Sequence, residues 1–380
     1  MVKGPFRADH VGSLLRPPEL LEAREQFKNG EMDAGGLHEV EDRLIRRAVK
    51  LEEETGIQAV TDGDYRRESW SNDFLDAIEG VKSASPPAQR SDDHHTTEVG
   101  GVVTTFKLPA PTTHGKLGWP AGGIQRGSFN FLKGETSRTP KVTMPSVSML
   151  HFRGGRGGVS EEAYPDMEEF FADASGIWRA EIRDLAAQGC RYVQLDDTNL
   201  AYLCDDRLRE NVRGLGEDPD ELPHLYARLI NDAIAGRPDD MAVTIHLCRG
   251  NSFSRGHAKG GYEHVAEAIF NEVEVDGFFL EYDDERSGGF EPLRFVPKGP
   301  NGPRIVLGIV TSKFGELEDK DGLKRRLDEA ARYMPPEQMC LSPQCGFASH
   351  TGGNLLSEEQ QWAKLRHCVE VAEEVWGTAV

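Results

Sequence analysis

Three short stretches carry residue types suited to holding a soft metal ion. His246-Leu-Cys248 closes an apolar, β-branched run at 242–247, Glu281 stands in FFLEYDDE, and Cys345 stands in CLSPQCGF. Residues two apart on a strand face the same side, so the imidazole and the thiol can converge on one point. Alone, an H-x-C pair reads first as a buried histidine beside a buried cysteine. The other two stretches change that reading, because each also lies at the end of a strand-like run. Two thiolates, one imidazole and one carboxylate form a tetrahedral donor set for Zn²⁺. Structural zinc sites usually use closely spaced cysteine pairs that staple a small unit, whereas these residues are far apart in the chain. The carboxylate, as the weakest-held ligand, could give way to an incoming sulfur. Zinc would then hold a small-molecule thiol as thiolate at neutral pH, a good nucleophile toward an activated methyl group or a strained carbon.

Elements that could gather these residues follow from the hydrophobic pattern. Strand-like runs occur at 6–13, 57–62, 141–147, 191–196, 242–247, 277–282, 304–310 and 338–343. Each is short, apolar and rich in β-branched residues, as buried parallel strands are. Helical patterns lie between most of them, at 38–55, 161–188, 320–334 and 357–376. Gly56 suits a helix C-terminus, and Ser357-Glu-Glu-Gln360 forms a capping-box pattern. The alternation predicts an α/β fold, a (β/α)₈ TIM barrel spanning 1–380, whose C-terminal strand ends would bring the three stretches to one mouth. An insertion at about 83–140, rich in Ser, Pro, Gly and Thr, follows the second strand. Its VGGVVTTFKLP segment reads as a β-hairpin arm, placed to cover the mouth or to meet a neighbouring subunit in a homo-oligomer. His94-His95 within it reads as a solvated loop feature rather than a metal site.

Bulk composition narrows the partners. A net charge of −20, from 44 basic and 64 acidic residues, argues against nucleic acid, which requires a basic surface. No apolar run is long enough for a membrane span, and the first residues show no secretory pattern, so a cytoplasmic location is expected. The six cysteines are sparse and unevenly spaced, unlike a disulfide framework.

HLCRGN, FFLEYDDE and SPQCGFAS, with DHVGSLLRP near the start and YVQLDDTN in the middle, resemble the cobalamin-independent methionine synthase family, most closely its single-barrel branch. The resemblance runs through nearly the whole chain. It implies a zinc-dependent S-methyltransferase that makes methionine from homocysteine, with methyltetrahydrofolate as one candidate donor. It carries His246, Cys248, Glu281 and Cys345 over as zinc ligands. It also matches Ser13 to a contact with the substrate carboxylate, and Asp64 and Asp196 to contacts with its amine. Two acids facing one ammonium each favour its charged form. Other roles stay open: Ser13 could cap a turn, Asp64 could pair with Arg66 or Arg67, and Asp196-Asp197 could shape a strand-end turn. Arg16, Arg249 and His10 flank these motifs, where the arginines could grip an anionic group or serve only in packing.

The chain also departs from the family. Where the family has G-x-x-D-x-H, whose histidine helps protonate the leaving folate nitrogen, this sequence reads Gly308-Ile-Val-Thr311-Ser-Lys313. Lys313 could donate a proton only with a lowered pKa, and could otherwise bind an anion or close a salt bridge. The second barrel of the long family members has no counterpart here. Two other readings remain in view: thiol alkylation like that of the epoxyalkane:coenzyme M transferases, and a zinc-stabilised barrel that binds without catalysis. Trp70 and Trp119 could stack on a flat donor, although tryptophans more often serve in the core.

Overall fold

The computed structural model describes residues 3–84, 94–99, 102–107, 110–251, 253–254 and 256–380, with backbone alone between 83 and 109. Its strands are β1 (Ala59–Val60), β2 (Glu79–Ala84), β3 (His94–Val99), β4 (Val102–Lys107), β5 (Ala110–Gly118) and β6 (Thr139–Pro140). They continue as β7 (Val142–Pro145), β8 (Tyr192–Asp197), β9 (Ala242–Leu247), β10 (Gly277–Glu281), β11 (Arg304–Val310) and β12 (Met339–Pro343).

Strands β7 to β12 form one parallel sheet in chain order, and β1 pairs in parallel with β6 just before β7 begins. Helices follow most strands, which makes the α/β, TIM-barrel-like architecture expected from the alternation. The first expected strand, 6–13, is the exception. It makes only a single parallel bridge, Ala8 to Leu341 on β12. The cause is local: the Asp9 carboxylate takes the backbone N–H groups of Phe6 (3.1 Å) and His10 (2.8 Å), which a ladder would otherwise use. Toward β1 this segment is held by Thr61 Oγ1 donating to Gly12 O (2.7 Å) and Leu14 N–H donating to Gly63 O (3.1 Å).

Period-two alternation decides what each strand buries. On β10, Phe278 and Leu280 join the large core under the helices, while Phe279 packs inward with Val11, Val306 and Cys340. That inward cluster lies on the same strand face as Glu281. The helices are fixed by their ends as much as by their apolar faces. Asp33 caps Ala34–Thr55, which stops at Gly56 with φ +94°. Helix Met167–Ala187 starts later than expected because Asp166 caps it. Ser357 and Gln360 form the expected capping box of Glu358–Trp376. Helices Pro18–Lys28, Asp206–Gly214, Leu222–Ile234 and Glu263–Glu272 complete much of the outer layer. No helix among the described residues is long and apolar enough to cross a membrane.

The arm after β1 is a pair of two-stranded antiparallel ladders, β2 with β5 and β3 with β4. It therefore opens at Glu79 and closes at Gly118, and the rest of the expected insertion differs from it. Residues Arg126–Glu135 form a helix and β6 returns to the parallel strands. His94 and His95 lie on β3 rather than in a loop, and their side chains are outside the described residues.

Candidate metal centre and its cleft

Parallel strands gather their C-terminal ends, and three of these ends supply the centre. His246 is the penultimate residue of β9, and Cys248 follows that strand directly, with its N–H donated to Asp197 O at 2.7 Å. Glu281 is the last residue of β10. Cys345 comes just after β12, positioned by the Gln344 N–H bond to Val310 O at 2.7 Å. The ligand atoms of His246, Cys248, Glu281 and Cys345 all lie within 4.8 Å of one another, and all four residues are buried. The two sulfurs are 3.5 Å apart.

The polar atoms here lack what buried polar atoms normally have. Both ring nitrogens of His246 and Oε2 of Glu281 are buried without a hydrogen-bond partner. Each such group costs about 1–3 kcal/mol when unsatisfied, so their convergence fits a site built to be completed by a cation. Glu281 Oε1 is oriented separately, by the Arg249 N–H at 2.7 Å. Burial, reinforced by Cys345, raises the Glu281 carboxyl to about 7. The Cys248 thiol hydrogen-bonds to Cys345 and holds it well below the usual thiol range, against the opposing effect of burial. Burial lowers the His246 pKa, but Cys345, Asp196 and Glu281 outweigh it and lift the imidazole to about 9. Two thiols, an imidazole and a carboxylate at these separations could hold one metal ion.

The centre opens into a cleft with about 600 Å³ of empty space, part of it continuous with solvent. Ser13, Asp64 and Asp196 line that cleft together with the His246, Cys248 and Cys345 side chains. Ser13 reaches it because Gly346 leaves room: a Cβ on Gly346 would sit 1.9 Å from Ser13 Oγ. Asp64 has φ +61°, an uncommon conformation for a residue other than glycine. Its Oδ1 faces Arg67 Nη1 at 3.1 Å and accepts from Thr143 Oγ1 at 3.3 Å. Arg66 instead pairs with Glu41 and Asp42. Asp64 is thus both ion-paired and in the cleft.

Asp196 and Asp197 divide the two roles the sequence left open. Asp197 accepts from Ser148 Oγ (2.5 Å) and from Leu200 N–H (2.8 Å), and so shapes the turn into the short helix Asn199–Tyr202. Asp196 instead lies in the cleft with its Oδ1 on Gln194 Nε2 at 2.7 Å. Burial pushes its carboxyl up to about 7, against the lowering effects of His246 and Gln194.

The flanking cations are turned away from the cleft. Arg16 spends its guanidinium on the backbone oxygens of Leu14, Ala348 and Asp64, joining three loops. Arg249 is fully buried with its guanidinium over the Tyr262 ring at 4.2 Å. Lys313 bridges Asp283 at 2.7 Å and Asp284 at 2.9 Å, the salt-bridge role open to it in the sequence. His10 is buried with Nε2 3.1 Å from Ala59 O, and burial with nearby Lys141 lowers it to about 4. Trp70 lines the cleft, whereas Trp119 donates to Glu181 at 2.8 Å. Arg153, Tyr202 and His350 also line the cleft. Sequence reasoning did not single them out, since none stands in a metal-ligand spacing. Tyr202 ends the short helix Asn199–Tyr202 that follows β8.

Residues 159–374 match the family model for the cobalamin-independent synthase catalytic domain. Two uncharacterized Bacillus subtilis proteins, YxjH and YxjG, are each 47% identical to this chain over 98% of its length and 96% of theirs. A methionine synthase from Pyrococcus horikoshii is 26% identical over 96% of this chain and 90% of its own. Among solved structures, a putative vitamin-B12-independent methionine synthase from Listeria monocytogenes is 36% identical, with TM-score 0.78 over 99% of this chain and 100% of that one. A Shewanella B12-independent methionine synthase solved with selenomethionine shares the fold, with TM-score 0.68, 16% identity and 97% coverage of both chains.

Proposed function

Because this chain belongs to the cobalamin-independent methionine synthase family, we propose that it is a zinc-dependent methyltransferase that methylates homocysteine to methionine. The observation that carries this reading is the convergence of four buried ligand residues, with both His246 nitrogens and Glu281 Oε2 unpartnered, beside a cleft lined by two acids. His246, Cys248, Glu281 and Cys345 would hold zinc, whose two sulfur donors and one imidazole match its preference for soft and borderline ligands. Bound there, zinc would supply the positive charge that keeps a substrate thiol deprotonated at neutral pH.

The chain's own residues do the rest. Asp64 and Asp196 bind the substrate ammonium, and Ser13 meets its carboxylate, so the thiol is aimed down the cleft at the four ligands. Arg67 offsets the charge of Asp64 at 3.1 Å, which leaves about one net negative charge to face one ammonium. The buried cleft floor excludes bulk water from the sulfur. The second substrate is a methyl donor such as methyltetrahydrofolate. Lys313, at the place where the family has a proton-donating histidine, is held by two carboxylates. A coenzyme M-type thiol fits less well, because it has no amine to face Asp64 and Asp196.

The test is direct. Zinc-loaded protein is incubated with homocysteine and methyltetrahydrofolate, and methionine is measured by mass spectrometry. Formation of methionine that requires both zinc and homocysteine supports the reading. Failure with every methyl donor, alongside alkylation of coenzyme M by an epoxide, overturns it.

A further inference from the structure

We propose that Gln194 is a positioning residue that anchors the amine-facing carboxylate of Asp196 to the backbone of Val11 and so selects for an α-amino acid thiol. The inference rests on the homocysteine reading above. Gln194 stands two residues before Asp196 on β8, so the two side chains share one face of the strand. It is fully buried. Its Nε2 donates two hydrogen bonds, to Asp196 Oδ1 at 2.7 Å and to Val11 O at 2.8 Å. Val11 is two residues before Ser13 and lines the same cleft. One amide therefore connects the acid that faces the ammonium to the backbone segment that presents Ser13.

The orientation of the amide is set by its partners. Turned the other way, its oxygen would face the Val11 carbonyl, an acceptor with no proton to offer. With Nε2 toward both, Oε1 is left buried and without a partner. A side chain kept for packing alone would be apolar at this position and leave no orphan, so what the site uses is the pair of N–H groups. Both neighbouring strands place a threonine beside it, Thr143 on β7 and Thr244 on β9. Thr143 Oγ1 donates to Asp64 Oδ1 at 3.3 Å, so each acid is steadied by a neutral donor from the strand wall. Among the described residues no ion pair reaches Asp196, and Gln194 is what fixes its carboxylate.

The experiment compares two thiols on zinc-loaded protein by isothermal titration calorimetry. Homocysteine carries thiol, carboxylate and amine, and 4-mercaptobutyrate lacks only the amine. Gln194→Leu should weaken homocysteine at least tenfold while 4-mercaptobutyrate stays within twofold and zinc content is unchanged. Gln194→Met, which also lacks the donor, should do the same and serves if the leucine variant folds poorly. Adding Gln194→Leu to Asp196→Asn should produce no further loss, because the amide acts through that carboxylate. Equal weakening of both thiols would show a merely structural role and overturn the proposal, as would unchanged binding of both. A parent protein that binds 4-mercaptobutyrate and homocysteine equally would instead remove the homocysteine reading on which it rests.

Discussion

Replacing Asp196 by Asn should separate binding from folding, and replacing Asp64 by Asn should not. Asp196 makes no ion pair among the described residues, and burial holds its carboxyl at about 7 instead of 3.8. An acid whose folded pKa lies above its unfolded value stabilises the fold in its protonated form. That contribution is complete below about pH 4 and is lost as pH rises through about 7. At 1.36 kcal/mol per pH unit, the part lost between pH 5 and pH 7 is roughly 2–3 kcal/mol, an upper figure for a site that can relax. Asn does not ionise. The metal-free Asp196→Asn protein should therefore gain on the parent by that amount between pH 5 and pH 8, seen as a higher melting temperature at pH 8. Binding moves the opposite way. Losing a hydrogen bond between charged groups, about 1.5–3 kcal/mol, should weaken homocysteine roughly 10- to 150-fold with zinc retained. In Asp64→Asn, half-buried Arg67 loses its carboxylate partner at 3.1 Å but keeps its bonds to Gln125 and Thr143, and the fold should lose roughly 1–3 kcal/mol as well as affinity. Calorimetric melts of metal-free protein at both pH values, with homocysteine titrations on the zinc-loaded forms, read both effects. If Asp196→Asn melts below the parent at pH 8 and binds homocysteine as tightly, the reasoning is refuted.

Other expectations are simpler to check. Cys345→Ser should abolish methyl transfer and drop zinc well below the roughly one ion per chain expected of the parent, by elemental analysis, because a neutral hydroxyl is a poor zinc ligand. Lys313→Met takes from the buried Asp283 side chain its nearer cation and leaves only Arg286 at 4.0 Å, so calorimetry should show a stability loss of about 3 kcal/mol; unchanged melting with lost turnover would assign Lys313 to the chemistry instead. Burial raises the thiols of Cys190 to about 12, Cys204 to about 11 and Cys340 to about 12, and also raises Cys368. In folded, metal-free protein at pH 8, iodoacetamide should therefore modify Cys345 first, as read by peptide mass spectrometry.

The parts legible in the sequence are those governed by local pattern. Strand β9 reads directly from AVTIHL, and the caps at Gly56 and Ser357 follow from residue type alone. His246, Cys248, Glu281 and Cys345 were visible because the ends of parallel strands lie along one edge of their sheet, which turns chain position into proximity. What stayed hidden depends on partners distant in sequence. The 6–13 run has a strand's composition, yet Asp9 captures its N–H groups. Arg16 looks like an anion-binding residue until three carbonyl oxygens from separate loops claim it. Gln194 carried only the signal of standing two residues before Asp196; its tie to Val11 spans 183 residues of sequence. Arg153 and His350 reach the cleft from loops whose course no periodicity encodes.

The central claim, a metal centre that receives the substrate sulfur, is tested most directly by zinc-edge X-ray absorption with and without homocysteine. Zinc should be bound by the sulfurs of Cys248 and Cys345 with lighter donors from His246 and Glu281, and should gain one sulfur and lose an oxygen when homocysteine is added. A purified protein that takes up no zinc, or a zinc shell that stays the same in saturating homocysteine, would contradict it.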